Sequence, residues 1–259
     1  MTLYCNPGWQ DTLQSRQFAT FDQIWNFPVD WIDAPNQNRG GWSGVSRVEV
    51  AIDNKLFTLY VKKQQNHTSR SLLHPIKGES TFAKEFRYLR HLQTHGISVP
   101  NVIFFAQRHA LEGQQAILVS ENLAGYQPLD AIKKEAMSLL AQRKLLSSVA
   151  KTVRAMHQSG LQHRALYAKH LFVKQHGEAF DVAVIDLEKA RRMIFPWLQS
   201  VSDLITLNYR TREWNKASRL YFLKSYLGQD RVNVKSKFLC KWIGLKSLQK
   251  LQLWNQRHE

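Results

Sequence analysis

Leu161-Gln-His-Arg-Ala-Leu-Tyr-Ala-Lys-His-Leu-Phe-Val173, followed by Val184-Ile-Asp-Leu-Glu188, is the stretch on which the fold of this chain turns. It gathers His163, Arg164 and His170 in one loop and sets a carboxylate, Asp186, just beyond a β-branched pair. A polar loop followed by an acid at a strand end is a layout that can hold a metal ion and orient a hydroxyl for phosphoryl transfer. Immediately upstream, Leu146, Val149, Ala150, Val153 and Met156 recur at helical spacing, so a helix with a core-facing stripe leads into the loop.

Further toward the N-terminus the parts that such a reaction needs follow in order. Arg47–Ile52 and Leu56–Val61 alternate with β-branched and aromatic residues around Asp53-Asn54-Lys55, which predicts a hairpin. The first strand is entered through Arg39-Gly-Gly-Trp-Ser-Gly-Val-Ser46. There Gly40, Gly41 and Gly44 would let backbone amides approach phosphates, and Ser43 would add a hydroxyl. The second strand ends at Lys62-Lys63, and strand alternation sends the two ammonium groups to opposite faces. Ser80 and Thr81 can cap a helix with Phe82, Phe86, Leu89 and Leu92 on its apolar face and Glu85 beside it. Val102–Ala106 and Ala116–Ser120 complete a predicted five-strand lobe. The break at Glu121-Asn-Leu-Ala-Gly125 offers the backbone of Glu121 and Leu123 to an adenine ring.

This order is similar to that of protein kinases. Their Lys contacts the α and β phosphates and pairs with a helix Glu, their His-Arg-Asp loop orients the acceptor hydroxyl, and a later Asp holds the metal. By position the similarity implies Lys62 on the phosphates, Glu85 as its partner, Asp186 as metal ligand, and His170 where kinases carry a metal-binding Asn. The base position is Ala165. A positioned base contributes about 10²–10⁴-fold in rate, so its loss is compatible with a weakened enzyme or with a nucleotide-binding pseudokinase. His163 and His170, in the same loop, are the candidate replacement bases, and each can equally be a structural imidazole.

More narrowly, the chain resembles the lipopolysaccharide kinase family of the InaA/WaaP type. The resemblance is carried by Tyr60-Val-Lys-Lys-Gln64, Thr81-Phe-Ala-Lys-Glu85, Val119-Ser-Glu-Asn-Leu-Ala-Gly-Tyr126, Leu166-Tyr-Ala-Lys-His170 and Ile185-Asp-Leu-Glu-Lys-Ala-Arg191. Ala165, where the family's core sugar kinases have Asp, brings it closer to the InaA branch. The resemblance implies an α+β, protein-kinase-like two-lobe fold, with an antiparallel lobe over residues 1–122 and a mainly helical lobe over 123–259. It also implies ATP and Mg²⁺ as cofactors, a lipopolysaccharide core sugar or related envelope glycolipid as acceptor, and Asp203 as a buried structural acid.

Composition is consistent with these expectations. With 36 basic and 20 acidic residues the net charge is +16, which directs the chain toward polyanions. Zinc-ligand spacings, RNP-like aromatics and a helix-turn-helix pattern are missing from the sequence, so no specific nucleic-acid partner is expected. An anionic glycolipid or membrane surface fits better. Lys235–Lys250 interleaves Lys with Trp242, Leu245 and Leu248, with Trp254 beyond. That pattern suits either an interfacial helix or one packed on the helical lobe. No run approaches the ~18 apolar residues of a spanning helix, and the start lacks a leader pattern. The expected location is the cytoplasm, peripherally at the inner membrane face. Cys5 and Cys240 are expected to be free thiols.

Overall fold

Thr2–Cys5 (β1) opens the chain as a sheet-edge strand, and two short helices follow, Gln10–Ser15 (α1) and Phe21–Asn26 (α2), in a computed structural model that describes residues 2–38, 40–52, 55–69, 78–133, 136–211 and 213–256. Helix α2 starts at a reciprocal cap in which the Thr20 hydroxyl accepts from the Gln23 amide and the Gln23 side chain accepts from the Thr20 amide. Asn36–Asn38 (β2), Gly41–Ile52 (β3) and Lys55–Gln65 (β4) then run as a meander, in register from Trp42 opposite Gln65 to Ile52 opposite Lys55. The expected turn residues Asp53 and Asn54 lie outside the described residues. Thr68–Ser69 (β5) pairs with Glu79–Ser80 (β6), which leads into Thr81–Thr94 (α3). Val102–Ala110 (β7) and Gly113–Glu121 (β8) complete a six-stranded antiparallel sheet in the order β1-β7-β8-β4-β3-β2.

The sheet has six strands against the five expected, and two of them, β1 along β7 and β2 along β3, lie outside the four runs named from the sequence. Trp9, Leu13, Phe18, Phe21 and Ile24 from the N-terminal segment pack on Leu59, Val61, Ile103, Phe104, Ile117 and Val119. Fully burying a large apolar side chain contributes about 1.5–3 kcal/mol, so α1 and α2 are part of the core of this unit and not an appendage. The unit comprises Met1–His91 and Pro100–Ala124.

The second unit comprises Leu92–Val99 and Gly125–Glu259. Gln127–Pro128 (β9) precedes Leu139–Gln158 (α4), capped by the Ser138 hydroxyl accepting from the Ala141 amide. The predicted stripe of α4, from Leu146 to Met156, is buried against the segments Ala179–Val184 and Lys216–Leu227. Leu161–Gln162 (β10), Leu171–His176 (β11), Ala179–Val184 (β12) and Arg191–Arg192 (β13) frame the loop that carries His163, Arg164 and His170. β11 pairs with β12 and β9, and β10 with β13. Pro196–Arg210 (α5), Lys216–Leu227 (α6) and Val234–Asn255 (α7) complete the unit.

Helix α7 packs on α5 and α6 through Leu239 and Ile243, and the Ser247 hydroxyl accepts from the Asn208 side chain. The packed alternative for this helix is therefore realised, while Leu245 and Leu248 face outward. The side chains of Lys235 and Trp254 lie outside the described residues. Among the described residues no helix is long and apolar enough to cross a membrane. Cys5 and Cys240 are free thiols, each raised in pKa by burial.

Candidate functional site

In β4, Leu59, Val61 and Lys63 point to the buried helical layer, and Lys62 and Gln64 point to α3. Gln64 sets the register. Its side-chain oxygen accepts from the Thr81 hydroxyl at 2.8 Å and the Phe82 amide at 3.0 Å, which holds the first turn of α3 against the strand. The Ser80 hydroxyl accepts from the Ala83 amide and supplies the cap, so Ser80 and not Thr81 fills that role. One turn further along, Glu85 lands opposite Lys62, with Nζ 2.7 Å from Oε1. The Glu85 side chain is 4% exposed and that of Lys62 21%. On the other face Lys63 donates to the carbonyls of Trp25 and Phe27 at 2.9 and 2.8 Å, and burial pushes its pKa down to about 8.

The glycine-rich segment departs from its expected role. Gly41, Trp42 and Ser43 lie inside β3 and pair with β2 on one side, and Trp42 and Ser43 pair with β4 on the other, so the ladders engage their backbone. Gly41 is required because a Cβ there would sit 2.0 Å from the Gln65 carbonyl oxygen, and Gly44 because a Cβ would sit 2.6 Å from the Trp31 ring. Only Gly40, at φ +79° with open space around it, keeps the freedom expected of a phosphate loop. After β8, the Glu121 amide donates to the Asn101 carbonyl, the Asn122 amide to that of Thr58, and the Ala124 amide to that of Asn122. Among the described residues, no partner engages the Leu123 amide.

In the second unit, Asp203 of α5 organises the loop. It is fully buried, and its two carboxylate oxygens accept from the His163 amide at 2.7 Å and the Arg164 amide at 2.8 Å, with His157 Nε2 at 3.3 Å. Arg164 is thereby held at φ +67°. His163 is fully buried, with Nε2 donating to the Ile185 carbonyl at 3.0 Å. That environment overturns His163 as a replacement base, since its ring cannot meet a substrate hydroxyl. Ala165 is 1% exposed, and its carbonyl accepts from His170 Nδ1 at 2.8 Å.

This last bond fixes the His170 tautomer. A carbonyl only accepts, so Nδ1 carries the proton, and burial lowers the His170 pKa and favours the neutral ring. The Nε2 lone pair then faces Asp186 Oδ2 at 3.2 Å. Two acceptors so close repel each other unless a cation lies between or beside them, and a carboxylate with an imidazole is a donor pair suited to a divalent ion. Asp186 presents its carboxylate from a left-handed backbone position at φ +59°, with the side chain 40% exposed. Among the described residues no group of three or more His, Cys, Asp or Glu could hold a metal, so these two side chains alone would not complete a coordination shell.

Comparison with known proteins follows the same lines. The sequence model of the lipopolysaccharide kinase (Kdo/WaaP) family matches residues 22–226. Protein InaA of Escherichia coli (strain K12) is 32% identical over 185 residues, covering 70% of this chain and 82% of that protein. The solved structure of WaaP in complex with acyl carrier protein superposes with a TM-score of 0.69 at 21% identity, covering 96% of this chain and 99% of that one. At that identity the likeness establishes the kinase-like α+β fold.

Proposed function

The chain belongs to the lipopolysaccharide kinase (Kdo/WaaP) family, and on that premise we propose that it transfers the γ-phosphoryl group of ATP to a hydroxyl of a lipopolysaccharide core sugar or related envelope glycolipid, at the cytosolic membrane face. The observation that carries this reading is the Lys62–Glu85 pair. Burying a charge is a poor route to stability, because desolvation offsets the attraction, so a buried carboxylate paired with a half-buried ammonium on this strand and helix is best accounted for by use. Glu85 holds the ammonium where it can meet the α and β phosphates. Gly40 lies in the turn that would cover them, and Leu123 N–H and the Glu121 carbonyl take the adenine edge.

Asp186 offers the carboxylate oxygen that a hard divalent ion, Mg²⁺ in this reading, takes, with the softer His170 imidazole beside it, and the ion's charge would screen the phosphates and stabilise the transferring group. His170 Nε2 has one lone pair. Its approach to Asp186 supports giving that lone pair to the ion, and in this reading His170 serves as ligand and not as base. The acceptor oxygen bonds to the γ-phosphorus as the bond to the β–γ bridging oxygen breaks. In a loose transition state the acceptor proton leaves late and can pass to the transferred phosphoryl oxygens. Turnover without a carboxylate at Ala165 would then be slow but real.

A second reading, a nucleotide-binding pseudokinase acting through partners, is favoured by Ala165 alone. Thermal unfolding and ADP release with Mg²⁺-ATP, on the wild type and Asp186→Asn, separate the two. The proposal expects apparent stabilisation of about 2–3 kcal/mol at a hundredfold excess over Kd, weakened in the variant, together with Asp186-dependent ADP release. Stabilisation without ADP release supports the pseudokinase, and no stabilisation at millimolar nucleotide overturns both.

A further inference from the structure

The start of α5 carries an apolar cluster that no packing explains. Ile194, Phe195, Trp197 and Leu198 are 64%, 66%, 57% and 60% exposed, in a protein whose other large side chains are mostly buried. Trp197 lines one concavity with Val234 and Phe238 of α7, themselves 83% and 72% exposed. Ile194, Phe195 and Leu198 are chain neighbours of Trp197, the residue that joins the start of α5 to that concavity. Exposed apolar clusters of this kind on a soluble domain mark interaction sites.

Charge identifies the occupant. From Lys189 to Ser202 the chain has three basic residues and no acid, and from Arg231 to His258 it has seven Lys or Arg and no acid. Lys189, Arg191, Lys237 and Lys241 are exposed and lie within a few residues of the cluster in the chain, against one exposed acid, Asp230, beside Gln229 of the concavity. Exposed aromatic and aliphatic side chains in segments with a strong excess of cations match the boundary of an anionic bilayer: the apolar groups enter the acyl layer and the cations meet headgroup phosphates. We propose that Ile194, Phe195, Trp197, Leu198, Val234 and Phe238 form a docking surface for an anionic membrane. This inference rests on the glycolipid-kinase reading above. The inserting element is the loop and first turn of α5 with the first turn of α7, not the length of α7, whose Leu239 and Ile243 are committed to the core.

The test is co-sedimentation with phosphatidylcholine vesicles, with and without phosphatidylglycerol. The proteins compared are the wild type, Phe195→Ser/Trp197→Ser, Lys237→Glu/Lys241→Glu, and Leu111→Ser as an exposed control in the other unit. Mg²⁺-ATP stabilisation is measured in parallel on each. Wild type should prefer anionic vesicles, both double variants should lose at least about tenfold in partitioning while keeping nucleotide stabilisation, and Leu111→Ser should behave as wild type. Equal binding to both vesicle types, wild-type partitioning of the double variants, or selective capture by an acidic protein with no vesicle binding overturns the surface. Nucleotide stabilisation that fails in all proteins, with patch-dependent vesicle binding intact, sinks the kinase reading and leaves the surface standing.

Discussion

Lys62 and Lys63 are neighbours in sequence and opposites in environment, which makes each a separate probe. Lys62→Met removes the ammonium that faces a nearly buried Glu85 and should destabilise the protein by about 3 kcal/mol. Adding Glu85→Leu should recover part of that loss, as denaturant midpoints of the single and double variants will show. Lys63 is depressed to about 8 by burial, against 10.5 for the ordinary side chain. Between those values the unfolded chain holds a proton that the folded chain has released, so stability contributed by this residue rises with pH from about 8 to 10.5 and is flat below. The gain is on the order of 1–3 kcal/mol. Urea midpoints at pH 7.5 and 9.5 should differ more in the wild type than in Lys63→Met, and an equal difference would refute the assignment. The opposed faces of the two lysines follow from strand alternation alone and are legible in the sequence. The burial of His163 is not, because it depends on Ile185 and Asp203, contacts that no local pattern encodes.

Among the elements, β3 shows how one sequence pattern can serve two structures. Gly-Gly-Trp-Ser-Gly reads as a phosphate loop, yet alternating ladders claim it as strand, and the glycines are there for close approach. Gly41→Ala should cost well over about 3 kcal/mol because its neighbour is rigid backbone, and Gly44→Ala should follow because Trp31 must move. Gly40→Ala, with open space and only a left-handed φ to strain, should cost about 1 kcal/mol. Thermal unfolding of the three variants checks the order. Helices α1 and α2 are not legible in the sequence for a different reason. Six residues each is too short for a periodic signal, although the Thr20-x-x-Gln23 cap marks where α2 begins. Helix α4, at 20 residues with one continuous stripe, was legible throughout.

For the whole molecule, a charge of +16 predicts association that salt controls. Raising salt from about 0.1 to 1 M shortens the screening length from ~10 to ~3 Å, so binding to anionic vesicles should largely disappear. Nucleotide stabilisation should survive better, since Glu85 and much of Lys62 are shielded from solvent. Retained vesicle binding at high salt would assign it to apolar insertion alone. The charge total says nothing about fold, which is why composition could narrow the partner but not the architecture.

Asp203 has a further consequence, in time and not in energy. Its carboxylate ties two successive amides of the loop, His163 and Arg164, to the middle of α5, the helix on which α7 packs. The loop cannot open alone without breaking those bonds, so its shape is set when the unit folds and not when substrate arrives. Hydrogen–deuterium exchange should find these two amides among the slowest of the unit, exchanging only through its full unfolding.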